Sequence, residues 1–151
     1  MDTERDEDRT KTVDRSPRDE LAESLVVLSF LVQGHIHSTA ESFGLTQTQA
    51  WALRILETPQ PMRELARTMG CDASNVTGIV DRLEPLGLVR RRVDDRDRRV
   101  KLIEVTAEGR ALRRRLDRRL LAGIPGLDGL DRNEARAALA FVRTVNSNFG
   151  Y

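Results

Sequence analysis

The sequence is poor in the residues on which disulfide-stapled, membrane-bound and catalytic chains rely. It has a single cysteine, Cys71, among 151 residues. No internal disulfide can form, which fits a reducing compartment. Aromatic residues make up only 4%, so Leu, Val and Ala must build the core, a composition that suits helices packed on helices. No apolar run approaches the roughly 18 residues of a membrane span. The longest such cluster, Leu25 to Val32, is broken by Ser29. The acidic, polar N-terminus lacks the apolar centre of a signal peptide. These traits predict a soluble cytoplasmic protein with no membrane partner. There is no phosphate-binding glycine loop, no His-Glu-x-x-His and no cysteine cluster. The two histidines, His35 and His37, stand two apart and cannot point the same way from one helix. No enzyme, metal site or cofactor is expected.

A net charge of +1 does not by itself suggest a polyanionic partner, but the distribution of charge is uneven. Residues 1–20 carry eight acids against five bases, residues 90–101 seven bases against three acids, and residues 110–119 six bases against one acid. The length suits one domain with one core. Residues 1–17 hold no large apolar residue except Val13 and are expected to form a disordered acidic tail.

Beyond that tail the apolar periodicity predicts helices. Ser16 and Pro17 open one over 18–43, with Leu21, Leu25, Leu28, Val32 and Ile36 on one stripe. Thr46 and Gln49 form a capping box for a second, 47–57, in which Trp51, Leu53, Ile55 and Leu56 are expected to be buried. Pro59 and Pro61 mark a break. A short helix over 62–69 ends at Gly70, and Asp72 or Ser74 caps another over 73–84, whose stripe is Val76, Ile79, Val80 and Leu83. Leu88–Val93 and Val100–Val105 read as a hairpin around the polar tip 94–98. Thr106 caps a helix over 107–122, and Asp131 with Glu134 opens the last, 132–148. There is no internal repeat.

The order helix, turn, helix, hairpin carries the functional reading. The helix over 73–84 leaves polar residues on its free face, among them Asp72 at its start and then Ser74, Asn75, Thr77, Gly78, Asp81 and Arg82. A helix of this width fits the major groove of B-DNA, and Asn, Ser and Thr offer donors and acceptors to base edges. The hairpin tip brings Arg96 and Arg98, a form of projection that enters a minor groove. The fold expected is mainly α with a small β-hairpin wing, a winged helix-turn-helix over 45–106. The flanking helices 18–43 and 107–151 form a dimerisation lobe, all in one intertwined domain. Leu25, Val26, Leu28 and Leu31 with Phe141, Val142, Val145 and Phe149 are the expected interface of a homodimer. The run Arg113, Arg114, Arg115, Arg118 and Arg119 reads as a solvated helix face partly paired with the acidic N-terminus; contact with flanking phosphates is the other reading.

Three stretches resemble the MarR family of bacterial regulators: Leu65-Ala66-Arg67 through Gly70; Asp72 through Thr77, Val80 through Glu84 and Gly87-Leu88-Val89; and Asp94 through Arg99 with Val105-Thr106 and Glu108-Gly109-Arg110. The resemblance implies a recognition helix at 73–84 and a wing at 88–105 that bind double-stranded DNA. Arg96, Arg98 and Arg99 are then wing contacts, and Asp97 with Arg99 an ion pair that fixes the wing. It also implies a homodimer on a pseudo-palindromic operator, usually as a repressor. A small aromatic or anionic effector would bind near His35, Ser38 and Trp51. His37 is a further candidate for the same pocket. Gly78 departs from the family pattern, where a larger or basic residue is common, and Cys71 stands where Val is typical; it reads as a small apolar plug. A winged helix that contacts only protein, an adaptor, is the alternative.

Overall fold

Capping chemistry starts the helices where the sequence signals them. In the computed structural model, which describes residues 15–148, Ser16 accepts from the Asp19 amide at the head of α1 (Pro17–Ser42). At α2 (Gln47–Ile55) the capping box is complete: the Gln49 amide donates to Thr46 Oγ1 at 3.2 Å and the Thr46 amide donates to Gln49 Oε1 at 2.8 Å. Caps of this kind stabilise a helix by about 1 kcal/mol. A two-residue strand, β1 (Gln60–Pro61), precedes α3 (Met62–Met69), which ends on Gly70 at φ 63°. Then come α4 (Ala73–Leu83), β2 (Val89–Val93), β3 (Lys101–Val105), α5 (Ala107–Ala122) and α6 (Arg132–Asn148). Asp72 occupies the N-cap position of α4, yet its carboxylate makes no capping bond. The expected tail, apart from residues 15–17, and the interface candidate Phe149 lie outside the described residues. Pro17 belongs to α1 rather than to the tail.

The strand β1 differs from the expected plain break. It pairs antiparallel with β3, giving a three-stranded sheet in the order β1-β3-β2. Two prolines are compatible with pairing here because β1 lies at the sheet edge, where a missing N–H need not leave a neighbour unbonded. The hairpin register sets Val89 opposite Val105, Arg91 opposite Ile103 and Val93 opposite Lys101.

The core lies under the helix-turn-helix. Leu53 and Leu56 of the α2 segment, Leu65 of α3, Val76, Val80 and Leu83 of α4, Ile103 of β3 and Leu116 of α5 are fully enclosed. Burying each side chain of this size contributes roughly 1.5–3 kcal/mol. Trp51 departs from expectation: it is 45% exposed. The inward face of α2 is taken by Gln49, Ala50, Ala52 and Leu53, which turns the indole outward beneath the Arg54 guanidinium, 5.9 Å from the ring centroid. By contrast, α1 buries only Thr39 and Ala40, and α6 buries nothing. Among the described residues no helix is long and apolar enough to cross a membrane.

One close approach joins α5 to the sheet. Thr106 donates its amide and its hydroxyl to the Leu88 carbonyl, at 3.1 and 3.3 Å, and the hydroxyl also reaches the Gly87 carbonyl at 2.6 Å. Gly109, one turn on, packs so tightly that a Cβ there would lie 2.0 Å from the same Leu88 oxygen. Gly109→Ala is therefore expected to destabilise the fold by about 1–3 kcal/mol through overpacking, read as a fall in the urea midpoint. An unchanged midpoint would exclude this contact.

Candidate nucleic-acid interface

The outward face of α4 follows from its inward one. Val76, Val80 and Leu83 are buried, so at 3.6 residues per turn the opposite side is centred on Gly78, with Ser74 and Arg82 one turn before and after it. Asp72, Ser74, Asn75, Thr77, Gly78 and Arg82 are all exposed. The structure thus brings every residue expected of the reading helix onto one accessible surface. Thr77 is partly committed, since its hydroxyl donates to the Ala73 carbonyl at 2.9 Å. Outward it presents a methyl group and an acceptor lone pair.

The wing tip is shaped by its aspartates. Asp94 Oδ1 accepts from the Arg96 amide at 2.8 Å, and Asp97 Oδ1 accepts from the Arg99 amide at 2.9 Å. These short turns close the loop on its own backbone and leave Arg96, Arg98 and Arg99 exposed. None of the three forms an ion pair among the described residues. The expected Asp97–Arg99 ion pair is accordingly corrected: the contact is real, but it is carboxylate to backbone amide. Only part of the hairpin's positive charge is free. Arg90 pairs with Glu104 at 2.9 Å, and Arg92 lies within 3.4 Å of Glu104 and 3.2 Å of Asp95.

Arg91 makes a connection that the sequence reading missed. Its guanidinium bridges Asp81 and Glu84, three residues apart on and just after α4, and its amide donates to Glu84 Oε1 at 3.0 Å. The hydrogen bond donated to Asp81 and then the bond to and charge of Glu84 push the guanidinium above its already high ordinary pKa, against partial desolvation. The signal was present. Strand alternation puts Arg91 on the same face as the buried Val89, and Asp81 and Glu84 share one side of a helix. The planar fork of arginine suits two carboxylates at once.

The expected effector trio is not assembled. His35 Nε2 donates to the Leu120 carbonyl at 2.9 Å near the end of α5, and its ring leaves Gly123 no room for a Cβ. Ser38 donates back to the His35 carbonyl of its own helix. Trp51 faces the other way, into an open recess of about 710 Å³ between α2 and α4 that Gln47, Cys71, Asn75, Gly78 and Arg82 also line. The separation arises because Gln49, Ala50, Ala52 and Leu53 take the buried face of α2 and leave Trp51 on its outer side. His37 lies beside Glu41 at 3.2 Å. Cys71 is half-buried against the core. In the arginine run of α5, Arg113 donates to the Leu56 carbonyl and Arg115 stacks on Phe43 at 5.5 Å, so part of that face holds α5 to its neighbours. The acidic segment proposed as its partner lies mostly outside the described residues.

The MarR family model matches residues 45–101, from the start of the α2 cap to the first residue of β3. Over that stretch the chain matches the MarR family of transcriptional regulators. Similar proteins include the transcriptional activatory protein BadR of Rhodopseudomonas palustris, 36% identical over 101 residues, or 60% of this chain and 57% of BadR. The matched stretch therefore spans little more than half the length of that curated relative. CouR from Rhodococcus jostii RHA1, solved with p-coumaroyl-CoA bound, superposes with a TM-score of 0.66 at 29% identity, covering 87% of this chain and 94% of CouR. A MepR variant of S. aureus bound to an oligodeoxyribonucleotide shares the fold, with a TM-score of 0.62 at 19% identity over 85% of this chain and 97% of MepR. The chain thus has the winged-helix architecture of these structures, with one strand more than the expected hairpin.

If the Arg91 bridge fixes the wing against α4, Arg91→Ala is expected to lower stability by up to about 1.5–3 kcal/mol, the range for hydrogen bonds to charged groups. It should also speed hydrogen exchange in residues 89–105 while leaving α1 and α5 unchanged. Uniform exchange rates would show that the bridge holds nothing.

Proposed function

We propose that this chain is a sequence-specific regulator that binds a pseudo-palindromic duplex site as a homodimer. In this reading α4 reads base edges in the major groove, the exposed arginines of the wing tip enter the minor groove, and repression results when the site overlaps a promoter. It acts as a binding protein and not as an enzyme, and needs no cofactor. The observation that carries the reading is the joint exposure of two surfaces joined by Arg91. One is a polar helix face built from Ser74, Asn75, Gly78 and Arg82, and the other is a loop whose Arg96, Arg98 and Arg99 have no ion-pair partner among the described residues. Unpaired arginines on a narrow projection suit the focused negative potential of a minor groove. The oligodeoxyribonucleotide bound to MepR, which shares this fold, supports DNA as the partner. BadR is named an activatory protein, and the same grip on DNA serves either sign according to where the site lies.

A second copy is required by what the chain leaves uncovered. Val26 and Leu31 of α1 are each 54% exposed, Phe30 is 71% exposed, and Leu139, Phe141 and Val142 of α6 stay open. So many exposed large apolar side chains on two long helices are characteristic of an interface. A two-fold pair of α4 helices reads half-sites about one helical turn apart. Release by a small aromatic or anionic effector fits this reading and draws support from CouR, solved with a coenzyme A thioester bound. The separation of His35, Ser38 and Trp51 argues for a different seat.

Two measurements test the proposal. In sedimentation at micromolar concentration the parent is expected to run as a dimer, and Leu28→Glu with Val142→Glu to run as a monomer or to unfold; a monomeric parent would overturn the paired reading. On duplexes selected from a randomised pool, Arg98→Ala should weaken binding to all sequences by roughly 1–3 kcal/mol and flatten the salt dependence, whereas Asn75→Ala should chiefly relax base preference. If no sequence is enriched at low salt, the protein-binding adaptor becomes the better description.

A further inference from the structure

Gly78 stands at the outermost point of α4, directly opposite the buried stripe of Val76, Val80 and Leu83. Glycine is the poorest helix former after proline, and five residues of α4 lie on either side of it. Nothing in the folded chain calls for it. An added Cβ would meet no atom within 4 Å, and Gly78 is not among the glycines held at positive φ. It packs against no neighbouring backbone, in contrast to Gly109. The apolar faces left open for a second copy lie on other helices, α1 and α6.

The residues around it share one property. Ser74, Asn75 and Thr77 are short, and the Thr77 hydroxyl proton is already given to Ala73. Such side chains reach only a surface that comes almost to the helix backbone. Arg82 is the long side chain on the outward face of α4 beside this apex, and it leaves from a turn further on; Trp51 and Gln47 stand across the recess on α2.

We propose that Gly78 sets the depth at which α4 seats in the major groove: the bare apex lets the helix backbone approach the base edges closely enough for Ser74 and Asn75 to bond them and for the Thr77 methyl to pack on a thymine methyl. The proposal rests on α4 being the reading helix. A side chain at position 78 acts as a spacer. It lifts the short neighbours off the bases while leaving the wing arginines and the phosphate contacts in place, so specific binding falls and non-specific binding stays.

The test uses the full chain and the duplex that the parent itself selects from a randomised pool, with a scrambled duplex as control. Gly78→Ala is expected to raise the melting temperature of the free protein by about 2–4 °C. It should weaken binding to the selected duplex at least tenfold and leave binding to the scrambled duplex within twofold of the parent. Gly78→Arg should lose most discrimination between the two duplexes. Undiminished affinity of Gly78→Ala for the selected duplex would overturn the proposal with the docking of α4 intact. So would a fall in its melting temperature, because the fold itself would then require the glycine. A parent that enriches no sequence would instead remove the reading of α4 on which the proposal stands.

Discussion

The guanidinium of Arg91 holds together the two elements that face outward on this protein. It leaves β2 and meets Asp81 and Glu84 on the flank of α4, with the backbone amide of the same residue bonded to Glu84 as well. A helix and a hairpin each fold on local information, but their mutual angle does not follow from either. Docking into a major and a minor groove at once demands a fixed angle, because the spacing of the grooves is set by the duplex. A lysine could pair with one carboxylate; the rigid fork of arginine engages both. The tie is also insensitive to pH in the basic direction, since the two acids raise a pKa that is already beyond the physiological range.

The energetics of the chain are divided between its halves. Nearly all fully enclosed side chains belong to α2, α3, α4, the sheet and α5, while the first five turns of α1 and all of α6 enclose none of their own residues. Under the proposed pairing, the long helices gain their apolar contacts from the second copy. Folding of the outer helices and association then become one equilibrium, and the stability of the protein depends on its concentration.

Much of this was legible in the residues, for identifiable reasons. Capping signals are local, so Ser16, Thr46 with Gln49, and Asp131 with Glu134 placed helix starts correctly. The stripe Val76, Val80 and Leu83 gave the buried side of α4 and, by subtraction, its exposed one. What escaped depends on packing between distant segments. Trp51 counted as core by its composition, yet the alanines of α2 proved the better fit at close approach. The strand β1 has no apolar pattern of its own and exists only because β3 is beside it. His35, Ser38 and Trp51 looked convergent along the sequence, but α1 and α2 turn them apart. The aspartates of the wing tip were expected to hold side chains and instead hold amides, a choice that loop geometry makes and charge patterning does not reveal.

The small sheet has two open margins, and both resist recruitment of foreign strands. On one side β1 is only two residues long and ends in Pro61, which offers no amide to a newcomer. On the other, β2 carries Arg90, Arg91 and Arg92 in succession, each paired with a carboxylate, so a newcomer strand would meet charged ion pairs rather than an apolar surface. Short length, proline and charge are the usual guards against edge-to-edge polymerisation. Under the proposed pairing through the open faces of α1 and α6, the β-structure therefore stays closed to aggregation and self-association is channelled to the helical lobe alone.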